Sequence, residues 1–425
     1  MSDYIPRLID PLLQDYLTYV PAFAINGIKA AGKTSSAERL ADKTYRLDSA
    51  PTRELVAASP ATFLGSEGTV LFDEWQRLPS IWDDVRRAVD NDNRPGRFVL
   101  TGSATPKGAA VHSGAGRIAR IRMRPLSLAE RLGEGAETSG ISLDDILQGK
   151  VEMVEGSTSV GLEDYLGEII RSGFPGIRSL PDKGATLFID SYLESLFERE
   201  FTDQGYTVRK PRVLRNWLRA YAAATGSTAP YQVILDAAIP DDKDKPAKST
   251  TLAYRDILDN LWITDRVEPW LPMNSQFKYL GMTAKHYLAD PALAARLLGI
   301  TMDGFLDDSI PLFGPQRSSL AGRLFESLLA LSLQTYAQAI TAQLNHFRTS
   351  TGNHEVDFII EKAGRVAAIE VKLGAEAVGN QVDHLNWFAK TFTNYRVAKI
   401  LVTTGDTAYT RHDGTHVIPA AMLRP

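Results

Sequence analysis

The stretch GIKAAGKT, residues 27–34, constrains the fold of this chain more than any other feature. Its two glycines, Gly27 and Gly32, stand five positions apart, and a lysine and a threonine follow the second one. Glycine permits backbone angles that direct consecutive N–H groups into one concavity. The stretch lies between an apolar run at residues 22–27 and a helical pattern that we expect to extend from residue 33 to about residue 42. Such a loop between a strand and a helix is typical of a phosphate-binding site.

The side chains at the end of this loop predict which ligand it binds. The Lys33 ammonium group would contact the β- and γ-phosphates of a nucleoside triphosphate and assist catalysis, and the Thr34 hydroxyl would ligate Mg²⁺. We therefore predict ATP with Mg²⁺. The residues that would surround this ligand are Gly27, Ile28, Lys29, Ala30, Ala31, Gly32, Lys33, Thr34 and Ser35. The alternative is a glycine-rich turn that caps a helix and binds nothing.

A second apolar run, residues 68–75, contains the acidic pair Asp73 and Glu74. Because ligands of parallel sheets bind at the carboxyl ends of the strands, we expect this pair beside the loop at residues 27–34. Asp73 would hold Mg²⁺ through water, and Glu74 would orient or activate the attacking water. Alone, such a pair is more often a solvated turn, but the loop in the same chain favours a catalytic role.

Strand and helix patterns alternate over the first 130 residues. A helix is predicted at residues 80–91, where Ile81, Val85 and Val89 share one face, and a third strand at residues 96–104. This alternation predicts the α/β class with a parallel sheet. The third strand ends in polar residues, of which Ser103 could either contact the γ-phosphate or form a turn.

Arginines are concentrated after this third strand. Arg117 follows a flexible SGAG segment, and we expect it to reach a γ-phosphate bound to a neighbouring subunit and stabilise transition-state charge. That role requires a homo-oligomer. Arg120, Arg122 and Arg124 alternate along the chain, and we expect them to lie on the solvent face of a strand.

A known family resembles this chain in four of its segments: GIKAAGKT, VLFDEWQ, FVLTGSA and GRIARIRMRPLSLAE. It is a prokaryotic family of AAA-type ATPases that end in a domain of unknown function, DUF4143. The resemblance continues at residues 172–177 and 192–200 and in the segments GRLFESLLA and EVDFIIE. It therefore covers nearly the whole chain.

The resemblance implies a P-loop AAA-type ATPase core, a helical and winged-helix middle, and a C-terminal α/β domain with a PD-(D/E)XK nuclease-like fold. The implied roles are phosphate loop for Gly32, Lys33 and Thr34, acidic strand for Asp73 and Glu74, sensor for Ser103, and arginine finger for Arg117. The sequence of residues 28–31, Ile-Lys-Ala-Ala, departs from the commoner pattern of the family, which contains Arg or Gln.

Four regions are predicted along the chain. Residues 133–160 are rich in Gly, Ser and Glu, which indicates a variable loop or a boundary. The regions are an ATPase core at 1–135, a helical connector at 136–205, a winged-helix-like domain at 206–272 and a nuclease-like domain at 273–425.

A strand–turn–strand pattern at residues 356–374 carries the residues that a metal-dependent nuclease needs. Asp357 and Glu370 would lie close together across the hairpin. Lys372 shares a face with Glu370, because alternate residues of a strand point the same way. Two carboxylates and a lysine predict Mg²⁺ and a water-activating amine for phosphodiester cleavage.

Two further residues could complete this second site. Glu326, on a predicted apolar helix at residues 323–338, would be another metal ligand with Asp357 and Glu370, and Gln381 could position the substrate backbone. The alternative is a plain ion pair between Glu370 and Lys372 on a solvated face. A nuclease-like fold can also persist without activity.

A basic segment at residues 208–221 predicts contact with double-stranded DNA. It carries Arg209, Lys210, Arg212, Arg215 and Arg219, with Trp217 and Tyr221 between them. Helical patterns followed by a strand pattern at residues 263–270 have winged-helix order, which can place one helix in a major groove. The alternatives are a solvated arginine face or a module that contacts protein.

Composition excludes several classes of protein. The formal net charge of -4 gives no global basic excess, and the absence of cysteine excludes disulfides and thiolate chemistry. No apolar run reaches the roughly 18 residues that span a bilayer, and the N-terminus lacks a signal-peptide pattern. We therefore predict a cytoplasmic protein without a membrane partner.

Two functions remain open from the sequence. The first is an ATP-hydrolysing protein that acts on or binds DNA, with a C-terminal nuclease. The second is an ATP-dependent molecular switch that binds a protein partner and has a catalytically silent nuclease-like domain.

Overall fold

A parallel sheet forms the N-terminal part of the chain. The computed structural model describes residues 4–104, 115–133, 140–238, 248–272, 282–306, 317–374 and 382–425. The strands are β1 (Ala22–Asn26), β2 (Lys43–Arg46), β3 (Val70–Asp73), β4 (Phe98–Gly102) and β5 (Ile118–Arg122). Their order is β2-β3-β4-β1-β5. The helices are α1 (Asp10–Tyr19), α2 (Lys33–Glu38), α3 (Ala50–Ala58), α4 (Pro60–Leu64), α5 (Ser80–Asn91) and α6 (Leu128–Leu132), with a 3₁₀ turn at Trp75–Arg77.

Helices cover both faces of this sheet, because alternate residues of a buried strand point in opposite directions. Ala24 of β1 lies in one apolar cluster with Val85 of α5. Phe23, its neighbour, lies in another cluster with Leu13 of α1. The predicted α/β class is therefore confirmed.

The strand order gathers three segments at one edge. β4 pairs in parallel with β1 on one side and with β3 on the other. The residues that follow these strands therefore emerge side by side, which brings residues 27–34, Glu74 and Ser103 together. The sequence predicted the edge, but not that β4 lies between the other two strands.

The middle of the chain is helical. After β6 (Ile141–Ser142), α7 (Leu143–Gln148) and β7 (Gly156–Ser157) come α8 (Leu162–Arg171), α9 (Asp182–Ser195), α10 (Phe201–Asp203), α11 (Pro211–Ala223), α12 (Tyr231–Ala238), α13 (Lys248–Asn260), α14 (Pro291–Leu298) and α15 (Met302–Leu306). A 3₁₀ turn at Pro175–Ile177 precedes α9, and a π-helical turn at Leu196–Glu200 follows it.

A second sheet of seven strands forms the C-terminal part. It follows α16 (Arg317–Ala339) and consists of β8 (Gln343–Arg348), β9 (Glu355–Lys362), β10 (Arg365–Lys372), β11 (Arg396–Thr403), β12 (Thr407–Thr410), β13 (Thr415–Pro419) and β7, with α17 (Asp383–Thr391) inserted. The strand order is β7-β12-β13-β11-β10-β9-β8. A 3₁₀ turn at Ala420–Met422 leads to β14 (Leu423–Arg424). The predicted hairpin is the antiparallel pair β9–β10.

α16 packs on one face of this sheet and α17 on the other. Leu328 of α16 shares a cluster with Phe358 of β9, whereas Phe388 of α17 shares a cluster with Ile359. Within the described part of the chain, no helix combines the length and apolar character needed to cross a bilayer.

The prediction of a loop or boundary over residues 133–160 is wrong for residues 141–148, which form β6 and α7, and for the short strand β7 at residues 156–157. β7 pairs with β12, and β6 pairs in parallel with β14. Strands of two residues are too short to show alternation, and their partners lie more than 200 positions later in the chain, with Ile141 opposite Leu423 for example. Local composition therefore gave no signal for them.

The strand predicted at residues 263–270 forms only isolated bridges. Thr264 pairs with Leu288, Val267 with Lys285, and Pro269 with His346 of β8. Through these bridges the segment connects the helical middle to the edge of the C-terminal sheet.

Candidate functional site

The loop at residues 27–34, named the phosphate loop from here on, adopts a backbone that requires glycine. A Cβ atom at Gly27 would lie 2.1 Å from the carbonyl oxygen of Met123. Gly32 has φ of +95°, in the left-handed region that disfavours side chains. The backbone geometry therefore disfavours any residue other than glycine at both positions.

The middle of the phosphate loop separates buried from exposed residues. Ile28 and Ala31 are buried. Lys29 is exposed and pairs with Glu200 at 2.9 Å. Ala30 is also exposed and has φ of +67°, so its backbone turns toward solvent at the centre of the loop.

Lys33 is held inside the phosphate loop. It is 4% exposed, and its ammonium donates to the carbonyl oxygen of Ile28 at 2.9 Å. Burial lowers the pKa of Lys33 from 10.5 to about 8, although the carboxylates of Glu74 and Asp73 oppose the change. A buried ammonium group in a loop that surrounds it is suited to an anionic ligand.

Asp73 joins the acidic strand to the phosphate loop. Its Oδ1 accepts a hydrogen bond of 2.8 Å from the Thr34 hydroxyl and a second one from the Thr101 hydroxyl of β4. Thr34 and Asp73 thus present oxygen atoms side by side, and oxygen atoms are the ligands that Mg²⁺ prefers. The residues present fit the predicted cation.

Glu74 is held by one side chain directly after β4 and by another in the 3₁₀ turn that follows Glu74 itself. It has φ of +55°, a strained value for a residue with a side chain. Its carboxylate accepts hydrogen bonds from Ser103, at 2.9 Å, and from Gln76. Gln76 also donates to Ser103 at 3.0 Å. The structure therefore brings Ser103 and Glu74 together as neighbours, but Gln76 was not predicted.

A cleft of about 1130 Å³ opens over the phosphate loop. One wall is the N-terminal segment at Tyr4–Arg7, and the other contains Pro175 and Arg178. Ser35 is exposed and lines it too. Residues 172–177, part of the family resemblance, therefore lie beside the loop.

Arg7 connects the phosphate loop to two other segments and was missed by sequence reasoning. Its guanidinium donates to the carbonyl oxygens of Ala31 and Arg124, both at 2.8 Å, and to Glu130 at 2.9 Å. Arg7 is 5% exposed. Nothing in the sequence distinguishes this arginine, since its three partners are brought to it only by the fold.

Arg117 lies at the opposite edge of the sheet from the phosphate loop. It precedes β5, whose first residue pairs with the first residue of β1. Its guanidinium is exposed and pairs with Asp90 at 2.8 Å. From this edge it can contact only a nucleotide on another subunit, so its role stays a prediction.

The expectation that Arg120, Arg122 and Arg124 share a solvent face is wrong for two of them. Arg122 and Arg124 pair at 2.8 Å and 2.6 Å with Asp265, which is 2% exposed. Arg120 alone is exposed, with its guanidinium over the Trp82 ring. Residues of the middle domain pack over the other two arginines. The alternation of residues along one strand cannot reveal contacts with a distant part of the chain.

The predicted carboxylates of the C-terminal domain come together. Lys372 Nζ lies 2.9 Å from Glu370 and 4.0 Å from Asp357. Asp357 also accepts a hydrogen bond of 3.0 Å from the backbone N–H of Val371. Glu326 is joined to this group through a residue that the sequence did not suggest, Lys285. Gln381 lies outside the described residues.

Lys285 lies between the carboxylates. Its Nζ is 3.1 Å from Glu326, 3.1 Å from Glu355 and 3.0 Å from Asp357. Burial alone would lower the pKa of Lys285, but the charges of Asp357 and Glu326 raise it well above its ordinary value. Among the described residues, no group of three or more acidic or histidine side chains is arranged to hold a metal ion. The three carboxylates around Lys285 therefore do not fit the predicted Mg²⁺ as they stand.

The basic segment has an exposed part and a buried part. Arg209, Lys210, Arg212 and Arg219 are exposed. Arg215 pairs with Glu194 and lies over Phe197. Trp217 and Tyr221 are at most 1% exposed, so these aromatic rings belong to the core and cannot stack on bases.

Comparison with known proteins identifies the class. Residues 20–132 match the family described as AAA domain, and residues 321–423 match DUF4143, a domain of unknown function. A further domain of unknown function, DUF8612, matches residues 162–304. The chain therefore carries an AAA domain in its N-terminal part and a DUF4143 domain in its C-terminal part, as the resemblance implied.

Particular relatives are found in mycobacteria. Uncharacterized proteins of Mycobacterium tuberculosis and Mycobacterium bovis are each 25% identical to this chain over 370 residues, which is 85% of this chain and 72% of theirs. Among solved structures, the ORC2 protein of Aeropyrum pernix, in ADPNP and ADP complexes, has 12% identity and a TM-score of 0.31. That alignment covers 78% of this chain and 98% of the ORC2 chain.

Proposed function

We propose that this chain is an ATP-dependent molecular switch that binds ATP with Mg²⁺ and hydrolyses it. The observation that carries the proposal is the 2.8 Å hydrogen bond between Thr34 and Asp73. It joins the loop that would hold the phosphates to the acid that would hold the cation. Lys33, buried in the same loop, supplies the positive charge for the β- and γ-phosphates.

Thr34 and, through water, Asp73 would hold Mg²⁺, and the bound ion would neutralise phosphate charge. Lys33 would donate hydrogen bonds to phosphate oxygens, and the backbone N–H groups of the phosphate loop would orient the chain of phosphates. Thr101, which donates to Asp73, keeps that carboxylate in place.

Glu74 is the group that would orient the attacking water. Two of its hydrogen-bond donors are Ser103 and Gln76. A γ-phosphate that accepts the Ser103 hydrogen bond would remove one donor from Glu74 and leave its carboxylate free to accept a hydrogen bond from the attacking water. Activation of Glu74 would then depend on the triphosphate being present.

Arg7 provides the connection from the nucleotide to the rest of the molecule. Its bonds to Ala31 of the phosphate loop and to Arg124 place one rigid side chain between the nucleotide site and the pair Arg124–Asp265. A shift of the Ala31 carbonyl on nucleotide binding would displace the Arg7 guanidinium. Through Arg124 and Asp265 this displacement would reach the middle domain. This is the element by which the switch would act on a partner.

The switch is tested by substituting Glu74. Glu74→Gln should lower ATP turnover at least about a hundredfold, the scale of a lost general base, while ATP affinity stays close to that of the wild type. Glu67→Gln, at an exposed residue before β3, is the matched control and should leave turnover unchanged. Unchanged turnover in Glu74→Gln would contradict the proposed role.

DNA binding is a second candidate, favoured by the exposed arginines of α11. Arg212 and Arg219 stand seven positions apart, two helical turns, and so share a face. The double substitution Arg212→Glu and Arg219→Glu should weaken binding of a short duplex at least about tenfold at low salt. Arg87→Glu, at another exposed arginine, is the control. Equal binding by all three proteins would exclude this surface.

Between a DNA-cutting enzyme and a switch with a silent C-terminal domain, the position of Lys285 favours the second. We therefore expect no nicking of plasmid DNA with Mg²⁺ or Mn²⁺ and ATP. Nicking that disappears in Asp357→Ala would instead support the nuclease.

A further inference from the structure

The nitrogen of Lys285 occupies the centre of the C-terminal carboxylate group. Three carboxylates from two elements surround it: Glu326 from α16, and Glu355 and Asp357 from β9. The lysine side chain is 1% exposed. A positively charged group buried to this degree among acids is a structural feature and not a solvated surface charge.

The geometry fits an ammonium ion. A lysine ammonium has three N–H donors, and the three carboxylate oxygens stand at 3.0 Å, 3.1 Å and 3.1 Å from its nitrogen. These are N–H···O distances. Mg²⁺ needs oxygen ligands at about 2.0–2.1 Å and Ca²⁺ at about 2.3–2.6 Å, so the carboxylates are spaced for the lysine.

The backbone fixes the lysine in this place. The N–H and carbonyl groups of Lys285 both pair with Val267, at 2.9 Å and 3.1 Å. Two residues before it, the carbonyl oxygen of Thr283 contacts His346 of β8 at 3.0 Å. Two residues after it, the Tyr287 hydroxyl donates to Glu326. The segment around Lys285 is thus bound on both sides of the lysine to the domain that holds the carboxylates.

We infer that Lys285 is the resident cation of this centre and takes the place that a divalent metal ion would fill. The centre is then a latent metal site, in which Glu326, Glu355 and Asp357 serve as ligands of an internal ammonium group. Removing the ammonium group should make the same three carboxylates bind a divalent cation. This inference concerns the contact between the segment around Lys285 and the C-terminal sheet, and it is independent of ATP binding.

The test is a titration of the full chain with Mn²⁺. Electron paramagnetic resonance measures the concentration of free Mn²⁺ and so the amount that is bound. All proteins carry Asp73→Asn, so that the phosphate-loop site contributes no carboxylate. Lys285→Met removes the ammonium group and keeps an unbranched apolar side chain that ends near the position of the lysine Cε, so the place of Nζ is left open. Lys372→Met is the matched control, because it removes the other lysine of the cluster and leaves Lys285 at the centre.

Lys285→Met should bind Mn²⁺ at least about tenfold more tightly than the parent or Lys372→Met, and adding Asp357→Asn should abolish the gain. An equal gain in both lysine variants would overturn the inference, because loss of charge anywhere in the cluster would then suffice. If Lys285→Met does not fold, the inference is tested by Mn²⁺ binding to the parent protein with and without Asp357→Asn. A parent whose Mn²⁺ binding is lost on Asp357→Asn would refute the inference, and one whose binding is unaffected would support it.

Discussion

Lys33 and Lys285 are both buried, yet their surroundings move their pKa values in opposite directions. Burial lowers the pKa of Lys33 to about 8, and Glu74 and Asp73 offset the change only in part. For Lys285, burial also disfavours the charge, but Asp357 and Glu326 outweigh it and raise the pKa well above its ordinary value. Lys285 therefore keeps its charge at neutral pH and above it, whereas Lys33 needs an anionic ligand to hold its proton above about pH 8.

The pKa of Lys33 predicts that ATP binding takes up a proton in alkaline solution. In the free protein this pKa is about 8, below the ordinary 10.5, and bound phosphates should raise it again. Below pH 8 the lysine is protonated with or without ATP, so no proton is taken up. Above that pH, affinity should fall as pH rises, up to about tenfold per pH unit.

Calorimetry at about pH 9 in two buffers of different ionisation enthalpy measures this uptake. Lys33→Arg is the control, because arginine keeps its charge at this pH and should show no uptake. A wild-type protein that binds ATP at this pH without proton uptake would contradict the assigned pKa.

At the scale of elements, long periodic segments could be predicted from the sequence and short ones could not. The pattern at residues 80–91 predicted α5 with its bounds, and the alternation at residues 356–374 predicted β9 and β10. β2 was missed because its outer residues are exposed and its central pair only partly buried, so no alternation is visible. α2 ends at Glu38, earlier than expected.

The same division holds for the candidate site. The phosphate loop and the pair Asp73–Glu74 could be placed because each is a local motif at the end of an apolar strand. Arg7 and Lys285 could not, because their contacts are made across the fold, and Gln76 could not because its contact with Ser103 joins two different strand ends. Lys285, for example, meets Asp357 from 72 positions earlier. Chemistry carried by adjacent residues is visible in a sequence, and chemistry assembled by topology is not.

Substitution of alanine for two glycines should change the free energy of unfolding in opposite directions. Gly322 lies inside α16 with open space where a Cβ would stand. Gly322→Ala should therefore raise the free energy of unfolding by about 0.5–1 kcal/mol, since glycine is unfavourable in helices. Gly27→Ala should lower it by about 1–3 kcal/mol, because the added carbon would overlap the Met123 carbonyl oxygen. Urea unfolding compares the two, and a gain in Gly27→Ala would be inconsistent with the loop geometry.

At the scale of the whole molecule, α6 and β5 connect the AAA core to everything that follows. The N–H groups of Leu128 and Ala129 donate to the hydroxyls of Ser332 and Tyr336 on α16, at 3.0 Å and 3.1 Å. Arg124 pairs with Asp265 of the middle segment. The core therefore contacts both other parts directly. A change in its conformation can reach the C-terminal part through α16 and the middle segment through Asp265.

Asp265 is the point at which this connection is most easily broken. Asp265→Asn would leave Arg122 and Arg124 without their carboxylate, and loss of one partner from a buried ion pair costs about 3–5 kcal/mol. The control is Asp203→Asn, whose partner Arg77 is 3.8 Å away and more than half exposed, so that a change of at most about 1 kcal/mol is expected. Denaturant unfolding of both variants measures the difference, and equal stability would show that the Asp265 contacts do not hold the domains together.

A calorimetric titration of folded protein with ATP and Mg²⁺, alongside Lys33→Ala, measures directly whether the phosphate loop binds nucleotide. We expect saturable binding to the wild type at one site per chain, and affinity at least about a hundredfold lower in the variant. Circular dichroism confirms that both proteins are folded. No saturable binding by the wild type, or equal affinity in Lys33→Ala, would show that the loop at residues 27–34 does not hold the phosphates.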